Sequence, residues 1–436
     1  MSRLFTILNT GGFQMNNKYD KKNLKIIQKS SPVVGGFLED ELKRQSETIE
    51  LIASENFCSD AIKAACGSAF TNKYAEGYPT HRYSGREMRY YGGCENVDNL
   101  EEYCCNMWRK VFKTDYHVNV QPHSGSQANF AAYMSVLKPH DKILSMSLDN
   151  GAHLTHGASV NFSGKLYNMS FYNTDKDGRI DYQNIYNHII SDQPKLVLAG
   201  ASAYSREIDF KQIKRMITEA TAVIKRDINK EYQTPYFMVD MAHIAGLVAT
   251  GVHQSPFGVA DIITTTTHKT LRGPRGGLIF CKKELAKSVD GAVFPGSQGG
   301  PLEHIIAGKA ICAEEACTEE YKDYIRRVVL NCKVMAEEFK KLGYKVVTDG
   351  TDNHLFLVDL RYSYPTITGL QVQEACDRNN ITLNKNCVPN ENRSPKDTSG
   401  IRIGTAAMTT KGYTAKDFIE VAHKIDKIIC GLDGKK

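Results

Sequence analysis

The chain has 436 residues, of which 41% are hydrophobic and 24% are charged, and its formal net charge is +6. This length and composition fit a two-domain globular enzyme and argue against a disordered or fibrous protein. Charges of both signs are interleaved, so the sequence shows no basic stripe of the kind that binds nucleic acids. No apolar run approaches the roughly 20 residues that span a bilayer, so we expect no membrane association.

The 12 cysteines indicate a reducing compartment rather than a metal site. They are scattered, and the closest cluster, Cys94, Cys104 and Cys105, lacks the paired spacing of a structural zinc site. We therefore expect no bound metal, and reduced thiols in a cytoplasmic protein.

The N-terminal 36 residues differ from the rest, because they are rich in Lys, Asn and Ser and contain Asp20 as their only acid. Two interpretations are open. A cleaved targeting peptide has a similar composition, but Arg is scarce and the amphipathic pattern is weak. An arm or extension that packs on a partner subunit is the favoured interpretation.

The hydrophobic pattern predicts two domains after this segment. Helical spacing predicts an amphipathic helix over residues 37–52. Short β-branched or apolar runs alternating with helical stretches then predict a mainly parallel sheet. A helical passage over 305–342, broken once, and a smaller α+β unit follow, giving domains at 37–310 and 311–436. The predicted strands are 117–120, 142–146, 196–198, 237–239, 262–265 and 278–281, then 345–347, 355–360 and 400–403 around a helix near 370–379.

Lys269 and Asp240 are the first candidates for chemistry. Lys269 follows a run of threonines and has cationic neighbours, which lower a Lys pKa as a Schiff-base amine requires. Taken alone, a Lys in this position is more often a solvated strand end. Asp240 ends a predicted strand, where a carboxylate can pair with a protonated pyridine nitrogen or, more commonly, cap a turn.

Other small-residue segments fit an anionic ligand. Ser124, Gly125 and Ser126 precede an Ala-rich helix, where backbone N–H groups and hydroxyls bind phosphate or simply cap the helix. Gly299 and Gly300 form a second such turn. Arg402 lies between apolar residues, so its guanidinium needs a carboxylate, either from a substrate or from an internal acid.

Seven segments in order resemble the serine hydroxymethyltransferase family, from about Glu39 to the C-terminus. They are LIASEN (51–56), NKYAEGYP (72–79), QPHSGSQAN (121–129), HLTHG (153–157), VDMAHIAGL (239–247), TTTTHKTLRGPRGG (264–277) and GIRIGT (400–405). The resemblance implies an α/β protein with the fold type I architecture of pyridoxal phosphate enzymes. Its large domain would carry a mainly parallel seven-stranded sheet, beside a smaller α+β C-terminal domain. It also implies a homodimer or a dimer of dimers.

The resemblance further implies a reaction: L-serine and tetrahydrofolate reversibly give glycine and 5,10-methylenetetrahydrofolate. Lys269 would bind pyridoxal 5'-phosphate covalently, with Asp240 at the pyridine nitrogen and Glu76 and His243 as further catalytic residues. The remaining implied cofactor contacts are His153 stacked on the ring, Ser202 near its phenolic oxygen, Ser124, Gly125, Ser126, Gly299 and Gly300 at the phosphate, and Thr266 and His268, which with Arg275 order the Lys269 loop. The implied substrate contacts are Ser54, Tyr74, Glu76, Tyr90, Tyr91 and Arg402. The implied folate contacts are Leu148, Ala152, His153, Leu154, Ser394, Pro395 and Lys396.

One departure and two alternatives accompany the resemblance. An insertion over residues 81–89, which many family members lack, contains Tyr83 as a competitor for the role of Tyr90 and Tyr91. A β-hydroxy amino acid aldolase would need the cofactor residues but no folate pocket, and the Glu76 and HLTHG segments argue against it. A non-enzymatic paralogue kept for RNA binding or assembly would not need Lys269, Asp240, Arg402 and Glu76 together.

Overall fold

The computed structural model describes residues 18–79 and 88–433. The first 17 residues of the predicted arm lie outside the described residues. So does most of the 81–89 insertion, including Tyr83.

The described residues form fifteen α-helices and fifteen β-strands. The helices are α1 Lys18–Ser30, α2 Pro32–Glu47, α3 Asp60–Cys66, α4 Glu95–Phe112, α5 Gly125–Val136, α6 Phe162–Leu166, α7 Tyr182–Asp192, α8 Phe210–Asp227, α9 Ala245–Thr250, α10 Ala286–Val293, α11 Glu303–Ala316, α12 Glu319–Lys341, α13 Gly369–Asp377, α14 Ala406–Thr410 and α15 Ala415–Leu432. The strands are β1 Ile49–Glu50, β2 Gly77–Tyr78, β3 Met88–Arg89, β4 His117–Asn119, β5 Lys142–Met146, β6 Asn168–Tyr172, β7 Leu196–Ala199, β8 Tyr236–Asp240, β9 Ile262–Thr266, β10 Gly277–Cys281, β11 Lys345–Val346, β12 Leu355–Asp359, β13 Ile381–Thr382, β14 Asn384–Asn386 and β15 Gly400–Gly404.

A seven-stranded sheet in the order β4-β10-β9-β8-β7-β5-β6 forms the centre of the fold. Its pairs are parallel except those that β10 makes with β9 and β4. The prediction of a mainly parallel sheet is therefore confirmed. The edge strand β6 is not among the predicted strands, because its mostly half-buried sequence NMSFY lacks a continuous apolar run.

This topology brings the ends of several strands together. Because β10 is antiparallel to both of its neighbours, β4 runs in the same direction as β9. The carboxyl ends of β4, β7, β8 and β9 therefore meet at one edge of the sheet, where α/β proteins bind their ligands. Asp240 is the last residue of β8, and the segments that follow β4, β7 and β9 contain Ser124, Ser202 and Lys269.

A second, antiparallel sheet in the order β11-β12-β15-β14 lies in the C-terminal part of the chain. The long helix α12 connects the two halves. Its first half, including Tyr324 and Val328, packs in the core around the large sheet, whereas Cys332 and Phe339 pack in the core of the small sheet. The predicted break in the helical passage is present, since α12 restarts at its N-cap Thr318.

The predicted helix over residues 37–52 is wrong at both ends. Helix α2 begins with Pro32 after the N-cap Ser31, and it ends at Glu47. The β-branched Ile49 then starts β1, which pairs in parallel with β13. No described helix is both long and apolar enough to cross a membrane.

Candidate active site

A cavity of about 390 Å³ opens at the carboxyl edge of the large sheet and reaches the small sheet at β15. It brings together residues that are far apart in the sequence. Its lining residues are Ser54, Glu55, Ser124, Gly125, Ser126, Asn129, His153, His156, Ala201, Ser202, Asp240, Ala242, His243, Thr266, His268, Lys269, Arg275 and Arg402.

Lys269 carries a buried amine at the floor of this cavity. The residue is only 8% exposed, and Nζ makes no hydrogen bond within the described part of the chain. Burial lowers the pKa of Lys269 to about 8. The negative charge of Asp240 raises this pKa, whereas the positive charges of Arg402 and Arg275 lower it further. Its backbone carbonyl accepts a 2.9 Å hydrogen bond from Asn56 Nδ2, which fixes the turn. A buried, uncommitted amine with a lowered pKa is suited to covalent chemistry.

Asp240, at the end of β8, is a negative charge held in place by three donors. His156 Nε2 and Asn129 Nδ2 donate to Oδ2 at 3.0 and 2.8 Å, and the Ala242 N–H donates to Oδ1 at 3.0 Å. Burial raises the pKa of Asp240, but the hydrogen bond from His156 and the charge of Lys269 outweigh it and hold the pKa below its usual range. The carboxylate therefore stays ionised.

His153 presents a neutral ring to the cavity. Nδ1 accepts a 3.2 Å hydrogen bond from the Thr155 N–H. Burial, and then the neighbouring His156, lower the pKa of His153 to about 4. A neutral imidazole can stack on a flat ligand without adding a second positive charge.

The start of α5 forms a cradle with unused donors. Ser124 Oγ accepts from the Gln127 N–H at 3.1 Å, so its own hydroxyl proton is free to be donated. Across the cradle, Thr266 Oγ1 and His268 Nδ1 are buried and have no partner among the described residues. A Cβ at Gly125 would come within 2.6 Å of Thr266 Cγ2. The backbone at residue 125 can therefore lie this close to Thr266 only because it is a glycine. Buried unpartnered polar atoms at a helix start fit a phosphate.

Arg402 faces the same cavity from β15. Nε donates to Asn384 Oδ1 at 2.9 Å and Nη1 donates to the Ser202 carbonyl at 2.7 Å. Burial lowers the pKa of Arg402 to about 10, and no described Asp or Glu forms an ion pair with it. The sequence left open whether an internal Asp or Glu pairs with Arg402. No such acid is present among the described residues, so the guanidinium has no counter-charge there.

Two buried residues escaped the sequence analysis. Asn129, which also donates to Thr155 Oγ1 at 2.7 Å, lies in the QPHSGSQAN segment one helical turn after Gly125. His354 precedes β12, and its Nε2 lies 3.2 Å from His243 Nδ1 with the two rings stacked. The spacing from Gly125 could have indicated Asn129. The contact of His354 is long-range and leaves no local signal.

Six predicted residues lie away from this cavity and form a second group. The expected acid/base residue Glu76 lies over Gly299, where an added Cβ would be 3.2 Å from Glu76 Oε1. Tyr74 packs over Gly300 and against Tyr91, with 5.3 Å between the two ring centroids. Tyr90 contacts Tyr91 at the same distance. We call this set the tyrosine cluster: Tyr74, Glu76, Tyr90, Tyr91, Gly299 and Gly300.

The predicted folate residues lie in two separate segments. Leu148 and Leu154 are exposed apolar side chains on short 3₁₀ turns that flank the buried Ala152. Ser394 and Lys396 lie in a loop in which the Lys396 N–H donates to Ser394 Oγ at 3.2 Å. Pro395 lies between them. Of the predicted folate residues, His153 is the one that lines the cavity.

Comparison with known families gives a match, which covers the segments of this site. The family model described as "SHMT: Serine hydroxymethyltransferase" matches residues 27–425, which is most of the chain. The chain belongs to the serine hydroxymethyltransferase family. The resemblance and the fold type I class inferred from the seven segments are thereby confirmed.

Membership gives the chain its activity and cofactors. Serine hydroxymethyltransferases are transferases of one-carbon metabolism that use pyridoxal phosphate and tetrahydrofolate. The chain accordingly converts L-serine and tetrahydrofolate reversibly to glycine and 5,10-methylenetetrahydrofolate. The cavity fits the cofactor on its own evidence, because an uncommitted amine, an ionised carboxylate and a cradle with unused donors surround one space.

Proposed function

We propose that the cavity around Lys269 is where the chain binds pyridoxal phosphate and the amino acid. The observation that carries this proposal is the position of Arg402. Its guanidinium has no described acidic partner, and it faces the same cavity as the buried amine of Lys269. A buried guanidinium needs a carboxylate, and the α-carboxylate of serine or glycine has the matching bidentate geometry.

The cofactor residues take the roles that their contacts support. Lys269 provides the amine, Asp240 holds a proton at the pyridine nitrogen, and His153 covers the ring. Ser202 and His243 would contact the phenolic oxygen. Ser124, Gly125, Ser126, Thr266 and His268 would hold the phosphate. When bound, pyridoxal phosphate supplies the electron sink that makes bonds at the substrate α-carbon labile.

The remaining chemistry belongs to side chains of this chain. Arg402, with Ser54 beside it, orients the amino acid so that the bond to be broken is held in one direction. Glu76 moves a proton at the hydroxymethyl oxygen of serine, and Tyr74, Tyr90 and Tyr91 line the same space. The buried pair of His243 and His354 helps to keep water out.

The tyrosine cluster completes the site of a second subunit in a homodimer, or in a dimer of dimers. Within one chain, Glu76 is not among the residues lining the Lys269 cavity. The tyrosines around it have large exposed fractions, 57% for Tyr74, 80% for Tyr90 and 43% for Tyr91. Exposed aromatic groups of this size are typical of subunit interfaces. Gly299 and Gly300 would reach the partner's phosphate cradle from the same surface.

Tetrahydrofolate would bind beside the cavity, close to His153. Leu148 and Leu154 are exposed apolar side chains on either side of Ala152 and His153, and they offer a surface for a flat ring. Ser394, Pro395 and Lys396 would supply polar contacts and a positive charge for its acidic end.

The proposed domains, N-terminal arm and cellular compartment are those expected from the sequence. The proposed domains span residues 37–310 and 311–436. Helix α12 links them, because it contributes to both cores. Residues 1–36 serve as an arm on the partner subunit, and α1 and α2 offer it exposed Ile26, Val33 and Phe37. The protein works in the cytoplasm.

Mixing two inactive variants tests both the site and its sharing between subunits. Lys269→Ala and Glu76→Gln are each expected to have little activity as homodimers. A mixed dimer would contain one site with both residues intact, because each chain supplies what the other lacks. Random reassortment should restore about a quarter of the wild-type activity.

The matched control combines both changes in one chain and mixes it with either single variant. These mixtures contain no intact shared site and should stay inactive. A mixture of the single variants that recovers nothing, although subunits exchange, would place Glu76 in the site of its own chain.

A further inference from the structure

Glu76 directly precedes a short hairpin formed by β2 and β3. Strand β2 starts directly after it, and Gly77 pairs with Arg89 of β3 in antiparallel register. The Tyr90 N–H donates to the Glu76 carbonyl at 2.9 Å. Glu76 itself has no helix or long strand to hold it, so the direction of its carboxylate depends on what fixes this hairpin.

The Arg89 guanidinium fixes the backbone on both sides of Glu76. Nη1 donates to the carbonyl of Ala75 at 2.7 Å and to the carbonyl of Gly77 at 2.9 Å. The Arg89 side chain is only 4% exposed, so these bonds are shielded from water. The peptide group before Glu76 and the peptide group after Gly77 are therefore tied to a single rigid group.

Helix α4 anchors Arg89 from the other side. Nε donates to Asp98 Oδ1 at 2.7 Å, and Nη2 donates to Glu101 Oε1. Asp98 and Glu101 are one turn apart on the helix, so they present their carboxylates to one face. Arg89 uses its planar fork to join two carboxylates to two carbonyls, and a Lys ammonium has no equivalent geometry.

The network continues to the phosphate cradle. Gln121 Nε2 donates to the Gly77 carbonyl at 2.9 Å and to Glu101 Oε2 at 3.0 Å. The Gln121 carbonyl accepts a 3.0 Å bond from Gln298 Nε2, one residue before the Gly299 turn. Burial, and then the charge of Glu101, raise the pKa of Glu303 to about 10, so Glu303 is neutral beside this network.

We propose that Arg89 is a positioning residue for the hydroxymethyl transfer, which acts by holding the carbonyls of Ala75 and Gly77 on either side of Glu76. The inference rests on the proposed role of Glu76 as the acid/base residue. Arg89 touches no substrate. It sets where the Glu76 carboxylate lies.

The direct test is Arg89→Lys. This variant keeps a positive charge beside Asp98 and Glu101 but cannot hold both carbonyls. We expect kcat with serine and tetrahydrofolate to fall by about 10²-fold, because small displacements of a catalytic group have effects of this size. The KM for serine and the affinity for pyridoxal phosphate should stay within about twofold, since Arg402 and the cradle are untouched. Amide exchange at Tyr90 should become faster. Arg109→Lys, on the helix α4 that anchors Arg89, is the matched control and should change none of these values.

A double-mutant cycle separates positioning from a merely structural effect. If Arg89 acts through Glu76, Arg89→Lys should cost nothing further in a Glu76→Gln background. Equal fold losses in both backgrounds would overturn the positioning role alone. A wild-type kcat for Glu76→Gln would remove the proposed role of Glu76, and this proposal with it. Asp98→Asn weakens only the hydrogen bond from Arg89 Nε, so it should lower kcat by a smaller factor, again only when Glu76 is present. This variant tests the proposal if Arg89→Lys fails to fold.

Discussion

Nε2 of His156 donates a 3.0 Å hydrogen bond to Oδ2 of Asp240, and both side chains are almost completely buried. Asn129 Nδ2 donates to the same oxygen at 2.8 Å, so the carboxylate has two fixed donors on one side. The Ala242 N–H donates to Oδ1, and because a carboxylate has about four acceptor positions, about one remains on Oδ1 for a donor in the cavity. The pair thus keeps a negative charge in a defined direction.

Replacing this charge should lower the turnover much more than substrate binding. In Asp240→Asn we expect kcat to fall by about 10²-fold or more, as for the loss of other preorganised electrostatic contacts. The KM for serine should change only severalfold because Arg402 is intact. Steady-state kinetics and the visible absorbance of bound cofactor measure the two effects. In the control His156→Gln a donor is retained, and the loss should be smaller. Wild-type kcat in Asp240→Asn would contradict the role of Asp240.

Cofactor loading should depend on pH through Lys269. Its pKa of about 8 means that roughly a tenth of the amine is neutral at pH 7 and roughly nine tenths at pH 9. The neutral amine is the nucleophile, so loading of the apoenzyme should accelerate about tenfold over this range and level off above pH 8. Stopped-flow absorbance after mixing with pyridoxal phosphate measures the rate. A rate that still rises tenfold per pH unit above pH 9 would indicate an ordinary Lys.

The cradle should tolerate no side chain at Gly125. In Gly125→Ala the new Cβ would lie 2.6 Å from Thr266 Cγ2, and either Thr266 or the start of α5 must move. We expect the affinity for pyridoxal phosphate to fall by about tenfold or more, because the donors of the cradle are displaced. Fluorescence titration of the apoenzyme measures it.

Gly291 offers the matched control for this change. It lies in α10, and an added Cβ would meet nothing within 4 Å. Gly291→Ala should therefore leave cofactor affinity unchanged and stabilise the protein by about 0.5–1 kcal/mol, because alanine loses less backbone entropy in a helix. Equal cofactor affinity in both variants would show that cofactor binding does not require a glycine at residue 125.

Much of the site could be predicted because its residues lie directly after strands. Asp240 and Lys269 follow predicted strands closely, and parallel strand ends converge whatever the details of the packing. The composition of the segment around Ser124 indicated an anion site for the same local reason. The predicted strands agree with the observed ones to within two residues at each end, since buried strands have continuous apolar runs.

The rest depends on contacts between distant segments. The partner of His243 is His354, more than a hundred residues later, and no periodicity connects the two. Helix α2 ends earlier than predicted because Ile49 pairs with a strand near residue 381. The sequence also did not show that Glu76 lies away from the Lys269 cavity. The segments that contain the two residues, 72–79 and 264–277, both resemble parts of one family site.

Lys309 should be important for stability rather than for chemistry. Its buried Nζ donates to the carbonyls of Val120, Pro122 and Gly277 at 2.6, 3.0 and 2.9 Å, directly behind the cradle. Lys309→Met leaves three buried carbonyls without this donor, and we expect a loss of about 3–5 kcal/mol in the free energy of unfolding. Urea denaturation measures it. Lys283→Met removes an exposed ion pair and should cost less than about 1 kcal/mol. Equal losses in the two variants would contradict the role of Lys309.

Arg402 should determine the affinity for the amino acid. Its guanidinium bonds Asn384 and the Ser202 carbonyl but no described acid, so it keeps donors for a carboxylate. Hydrogen bonds to charged groups contribute about 1.5–3 kcal/mol, and Arg402→Ala should therefore raise the KM for serine by about 10- to 100-fold. Arg402→Lys should recover only part of this affinity because it offers no planar fork.

A second arginine of the small sheet makes this prediction specific. Arg361 follows β12, and its Nε and Nη2 donate to the carboxylate of Asp359 at 3.0 and 2.7 Å. Arg361→Ala removes a guanidinium whose charge is already matched by Asp359, and it should leave the KM for serine unchanged. Glycine binding, followed through the absorbance of bound cofactor, should weaken in Arg402→Ala and not in Arg361→Ala. Equal effects in the two variants would mean that Arg402 supports the small sheet instead of binding the carboxylate.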